Sequence, residues 1–155
     1  MISYPILFGY RDLIGGRGFV AFVQANGRAL LTEDAENAWL YGVNPGGIAG
    51  GGSSRDDAVR RFKDSYLSVL YDIAAEAQSF DEFKQEVERF FYDVHEPNER
   101  EWSAAHAAVK SGDLTTDLPQ VKAETRPTRI DIRPLETERV QPDVNQLQGE
   151  LAEAA

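Results

Sequence analysis

Trp39-Leu40-Tyr41-Gly42-Val43-Asn44-Pro45-Gly46-Gly47-Ile48-Ala49-Gly50-Gly51-Gly52-Ser53-Ser54 runs from an aromatic, β-prone stretch through a glycine-rich segment into two serines. Residues 38–43 read as a strand, because aromatic and branched side chains suit a pleated, half-buried surface. Residues 44–52 read as a loop whose glycines permit a tight path. Either Ser53 or Ser54 is placed to accept an amide of a first helical turn, with Asp56 or Asp57 near the positive end of the helix dipole. A sheet therefore ends, and a helix begins, within this one segment.

Upstream, residues 4–10 and 19–23 are β-rich runs joined by Gly15-Gly16-Arg17-Gly18, a hairpin connection. Asn26-Gly27 reads as a second turn, followed by Arg28-Ala29-Leu30-Leu31 and an acidic stretch through Glu36. The first third is thus expected to be a small antiparallel meander of three to four strands.

Downstream, Val59, Phe62, Tyr66, Val69, Leu70, Ile73 and Ala77 recur at helical intervals and define one apolar face. Ser79 and Glu82 form a capping box opening a second helix with Phe83, Val87, Phe90 and Phe91 on its buried side and Glu82, Glu86 and Asp93 on the other. Asn98 and Glu101 mark a third helix start, Trp102, Ala105 and Val109 its buried stripe, and Gly112 its stop. The fold class expected is α+β: a meander packed against amphipathic helices over residues 1–112.

Residues 113–155 contain no aromatic side chain and carry Pro119, Pro127, Pro134 and Pro142, so they read as a C-terminal extension without a core of its own. Within it, residues 128–133 alternate like an edge strand. Ile130 and Ile132 are its apolar positions and a candidate surface for pairing with a neighbouring subunit. Residues 144–152 are compatible with a short helix.

The 155 residues, 42% of them hydrophobic, supply enough apolar material for one core. The absence of cysteine excludes disulfides, thiolate nucleophiles and cysteine-ligated metals. Residues 1–5 lack the pattern of a signal peptide and no apolar run is long enough for a membrane span, so a cytoplasmic location is expected. A formal charge of −10, with Lys and Arg scattered among carboxylates, disfavours nucleic acid and favours a basic protein partner.

Signals for catalysis are weak. The glycine segment lacks a P-loop lysine and the G-x-G-x-x-G spacing, so it reads as a turn rather than a phosphate cradle. His95 and His106 have no metal-binding spacing, and Ser53 and Ser54 have no nucleophile elbow around them. Asp56, Asp57, Glu82, Glu86 and Asp93 are read as a solvated set rather than an acid–base pair, so no cofactor, metal or catalytic residue is assigned. Trp39 and Tyr41, with Glu82, Glu86 and Asp93, are the candidate partner-binding residues.

The strand leading into Pro45-Gly46, the Gly50-Gly51-Gly52-Ser53-Ser54 turn and the helix beginning near Asp57-Ala58 resemble HicB-type antitoxin domains. The resemblance covers residues 39–70. It implies a small β-β-β-α-β unit that neutralises a small basic ribonuclease toxin. The acidic charge is compatible with that role. The family's common C-terminal DNA-binding module has no counterpart in the proline-punctuated tail, and residues 79–111 add two helices to the family unit. A self-associating scaffold and, below it, a phosphate-ligand binder are the alternatives.

Overall fold

The computed structural model describes residues 2–118 and 128–135. Its centre is a long antiparallel hairpin, β1 (Ile2–Gly16) and β2 (Phe19–Glu33), turned at Arg17-Gly18 where Gly18 adopts φ 76. Pairing runs the full length, from Ile2 opposite Glu33 to Gly16 opposite Phe19. Even-numbered residues of β1 and odd-numbered residues of β2 therefore share one face, as the two-residue period of a strand requires. Tyr4, Phe8, Tyr10 and Ile14 meet Ala21, Val23, Ala25, Ala29 and Leu31 there in the main core.

The far edge of β2 is divided between two strands. β3 (Ala38–Asn44) pairs with residues 28–33, and β5 (Arg129–Pro134) pairs with residues 21–26. Asn26-Gly27 is not the expected turn: β2 passes straight through it, with Phe8 opposite Gly27. A Cβ on Gly27 would lie 2.2 Å from the Asn44 carbonyl oxygen and 2.6 Å from the Phe8 ring. Glycine is required there by close approach, where β2 changes partner.

The glycine segment also differs from a plain loop. Residues 49–52 form a fourth strand, β4 (Ala49–Gly52), antiparallel to β3. No glycine from 46 to 52 has a positive φ, so their role is close packing rather than an unusual backbone conformation. A Cβ on Gly50 would lie 2.4 Å from the Phe62 amide nitrogen, and one on Gly46 would lie 2.4 Å from the His95 amide nitrogen. The sheet order is β1-β2-β3-β4, with β5 alongside β2.

α1 (Arg55–Glu76) follows a cap in which Ser54 accepts from the Asp57 amide. It buries Ala58, Phe62, Tyr66, Leu70 and Ala74, one residue per turn. It also closes the β4 edge: the Arg61 guanidinium donates to Gly51 O at 3.2 Å and Ser65 Oγ to Ala49 O at 3.3 Å. α2 (Phe80–Tyr92) starts at the expected capping box, Ser79 accepting from the Glu82 amide and Glu82 accepting from the Gln78 amide. Phe83, Val87 and Phe91 join the same core, which also takes in Phe19 at its margin.

α3 (Glu96–Ser111) begins three residues before the expected start, since its cap is His95 rather than Asn98, and His95 Nδ1 accepts from the Asn98 amide. Gly112 ends it with φ 85, as expected. It lies on the opposite face of the sheet. Arg28, on the even-numbered side of β2, reaches Glu99 at 3.1 Å and lies over the Trp102 ring at 5.3 Å. Trp102 Nε1 donates to Ile6 O and Asn98 donates to Gly42 O. Leu30, Val43 and Ala105 are buried apart from the main core.

The protein is thus α+β, a meander with helices on both faces. From the expected extension, residues 129–134 enter the sheet and Ile132 is buried. Residues 144–152, expected to be compatible with a helix, lie outside the described residues.

Candidate functional site

The half of the outer sheet face on the β3–β4 side of α3 is formed by two cross-strand rows. One runs Ser3, Thr32, Trp39, Gly51 and the next Pro5, Leu30, Tyr41, Ala49. Ser3 and Thr32 hydroxyls are 3.1 Å apart. Trp39 lies flat against Gly51, where a Cβ would come within 2.6 Å of the indole. It stacks on Tyr41 with centroids 5.9 Å apart and planes 13° from parallel. Trp39 nevertheless remains 41% exposed. A large aromatic held rigid in water, among small neighbours, presents contact area at low entropic cost, the usual character of a binding anchor.

The other expected partner-binding residues are elsewhere. Leu40 points into the core while Trp39 points away from it, and α2 packs on the core side. Glu82 and Glu86, on the solvent face of α2, are therefore separated from Trp39 and Tyr41 by the thickness of the sheet, while Asp93 stands where the chain passes from α2 to α3. They do not form one flat contact surface with the aromatic pair. Glu82 is engaged in its capping box, and Glu86 pairs with Arg89 at 3.1 Å. The Asp93 carbonyl accepts from the Gly46 amide. Residues 128–133, expected to pair with a neighbouring subunit, contribute β5, which pairs with β2 of the same chain. Ile130 and Ile132 lie opposite Ala25 and Val23.

Below the aromatic pair, the Arg55 guanidinium donates to both Glu33 carboxylate oxygens at 2.6 and 3.0 Å and to Asp117 at 3.0 Å, and it lies 5.7 Å over the Tyr4 ring. These hydrogen bonds hold the Glu33 and Asp117 carboxyls below their ordinary range. Asp34 is also lowered, by the Glu36 and Asn37 amides in the β2–β3 turn. Burial raises Tyr10 and Tyr66. The carboxyls with resolved shifts are all lowered, the reverse of what a general acid requires.

The remaining chemical candidates have structural partners. The Gly46 amide donates to Asp93 O, and the Gly42 amide to Ile48 O. Ser53 Oγ donates to Asp57, whose carboxylate stands at the first turn of α1, where a phosphate would meet a like charge. His95 is a helix cap, and His106 stacks on Trp102 at 5.1 Å. Among the described residues no three His, Asp or Glu side chains come together as a metal site. Within the same residues, no helix is long and apolar enough to cross a membrane.

Sequence reasoning missed two features. Arg28 and Arg55 lie in unremarkable polar contexts along the chain, and only long-range register brings them to Glu99 and Glu33. The arginines also gather more than their scatter implies: Arg11, Arg129 and Arg133 come to neighbouring strands on one face. The chain matches no known family model, no curated protein and no solved structure.

Proposed function

We propose that the chain is a non-enzymatic protein-binding domain, HicB-like in its action, that neutralises a small basic ribonuclease by covering it. The observation that carries this reading is the Trp39–Tyr41 stack on the outer sheet face, in which Trp39 stays 41% exposed while Tyr41 is half-buried. An aromatic anchor on a strip of small side chains suits the centre of an interface, where a few desolvated residues supply most of the affinity. The formal charge of −10 adds attraction for a basic partner and speeds encounter. Side-chain packing and caps account for the serines and histidines weighed as catalytic candidates, which favours binding over turnover.

The test compares tagged wild-type chain with Trp39→Ala in pull-downs from native lysate. The wild type should retain one small basic protein in stoichiometric amount, and Trp39→Ala should retain much less. Freed from the chain, that protein should cleave RNA and be silenced when the chain is returned. A wild-type preparation with no stoichiometric partner, or a partner held equally by both forms, counts against the reading.

A further inference from the structure

Three arginines of this chain are held in one recurring way, each over an aromatic ring with a carboxylate at its nitrogens. The Arg28 guanidinium lies 5.3 Å from the Trp102 ring centroid and donates to Glu99 at 3.1 Å. Arg55 lies 5.7 Å from the Tyr4 ring and donates to Glu33 and Asp117. Arg133 lies 5.1 Å from the Phe22 ring, with Nε 3.4 Å from Asp131. A guanidinium is planar, less strongly hydrated than an ammonium and rich in donors, so a ring face and a carboxylate together suit it better than either alone.

Trp39 presents the same two elements without an arginine of this chain: among the described residues, no cation lies over its ring. Gly51 lies against one face of the indole, and the neighbouring strand on the opposite side carries Thr32, a short side chain. Tyr41, nearly parallel to it, extends the aromatic surface along the strand. The carboxylates come from the turn between β2 and β3, where Asp34 and Glu36 are both exposed. Trp39 stands two residues beyond that turn, roughly 7 Å of strand, within reach of a carboxylate bonded to a group on the ring. Asp34 Oδ1 accepts from the Glu36 and Asn37 amides, which fixes the carboxylate and holds it below its ordinary range. The arginines that follow β4 in the chain are committed elsewhere: Arg55 to Glu33 and Asp117, Arg60 to Asp57, and Arg61 to the Gly51 carbonyl.

Resting on the reading of this face as a partner-binding surface, we infer that Trp39, with Asp34 and Glu36, receives one arginine side chain of the partner. Its guanidinium lies on the indole and its nitrogens donate to the turn carboxylates, as Arg28 does with Trp102 and Glu99 within the chain. Lysine fits less well, because its ammonium is a compact, strongly hydrated charge with no flat face to lay on the ring. An acidic or apolar side chain at that place leaves both carboxylates without a counter-charge in the interface. The same carboxylates oppose a nucleic-acid strand, whose bases the ring would otherwise suit.

The experiment titrates the full chain with short peptides that differ at one position in arginine, lysine or citrulline, the last neutral but close to arginine in shape. It follows the Trp39 indole N–H resonance at low salt, assigned by its loss in Trp39→Leu. The arginine peptide should move that resonance saturably, the lysine peptide should bind about threefold more weakly, and the citrulline peptide should not saturate. By anisotropy of a labelled arginine peptide, Trp39→Leu should weaken binding about fivefold or more. Asp34→Asn combined with Glu36→Gln keeps the Asp34 acceptor of the turn and removes both charges; it should weaken binding about threefold with an unchanged melting curve. An unmoved Trp39 resonance, equal affinity for the arginine and lysine peptides, or binding unaffected by the double substitution would each overturn the inference. The probes are peptides, so the outcome does not depend on a ribonuclease. A chain that retains a basic protein through Trp39 yet treats the peptides alike keeps the partner-binding reading and loses this site; one that selects the arginine peptide but retains no ribonuclease does the reverse.

Discussion

Gly50 lies directly against the backbone of Phe62: a Cβ at residue 50 would stand 2.4 Å from the Phe62 amide nitrogen and 2.7 Å from the Ala58 carbonyl oxygen. Both contacts are to helix backbone, which cannot rotate away as a side chain can. Gly50→Ala must therefore separate β4 from α1, and through Arg61 and Ser65 that contact closes the edge of the sheet. We expect a loss above about 2 kcal/mol in urea unfolding. Gly15→Ala is the control, since its Cβ meets nothing within 4 Å. It should be neutral or stabilising by up to about 1 kcal/mol. Equal effects of the two substitutions would show that close approach is not what Gly50 provides.

Arg55 couples the end of β2 to residue 117, and this gives stability an acid limb. Hydrogen bonds from the Arg55 guanidinium hold the Glu33 and Asp117 carboxyls below their ordinary range in the folded state. A carboxyl held down in the folded state takes up its proton more readily when unfolded, so stability rises with pH between the folded and unfolded values. The contribution is complete above the unfolded values and is lost as pH falls through the folded ones. Arg55→Gln should flatten this acid limb while changing the neutral-pH slope little. Chemical unfolding at a series of pH values measures it, and an equally steep acid limb in Arg55→Gln would exclude the coupling.

What was legible in the sequence follows from how local each signal is. The α1 and α2 caps and the helical apolar stripes are written within one or two turns, and Ser54, Ser79 and Gly112 act as read. Asn26-Gly27 misleads because its local turn preference is overridden by pairing with β1 along 15 residues and by the crowding of Phe8 and Asn44. β4 is hidden because Ala49-Gly50-Gly51-Gly52 has no side-chain alternation to read, only the helix backbone above it. Trp39 and Tyr41, two residues apart on a strand, were legible as one surface. The division of the outer face by α3 was not, since it depends on Arg28, Glu99 and Trp102 meeting across the chain.

Tyr66 is fully buried, stacks on Tyr10 at 4.5 Å, and is the one buried side chain among the described residues whose polar atom lacks a hydrogen-bond partner. Burial alone raises its hydroxyl pKa. An unpaired hydroxyl in an apolar core contributes desolvation cost without a compensating bond. Tyr66→Phe should therefore leave stability unchanged or raise it by about 1 kcal/mol, whereas Tyr66→Ala should cost about 3–5 kcal/mol through the cavity. A loss of more than about 1 kcal/mol in Tyr66→Phe would reveal a bonding role for the hydroxyl.

Arg28 is the tie between the sheet and α3, and its three contacts are of different kinds. Nε donates to Asn44 Oδ1 at 2.6 Å, Nη2 to Glu99 at 3.1 Å, and the guanidinium plane lies over Trp102. Asn44 is only 3% exposed, so removing Arg28 leaves its amide oxygen buried without that donor. Arg28→Met, which keeps the stem but none of the donors, should cost about 2–4 kcal/mol and increase amide exchange in α3 before it does so in α1. Arg28→Lys should recover little, because a single ammonium cannot address two acceptors and a ring in this fixed geometry. Glu99→Gln should cost under about 1 kcal/mol, since the carboxylate is 41% exposed and its pairing is screened by water. If Glu99→Gln proved as damaging as Arg28→Met, the ion pair rather than the buried Asn44 contact and the Trp102 stack would be what holds α3 to the sheet.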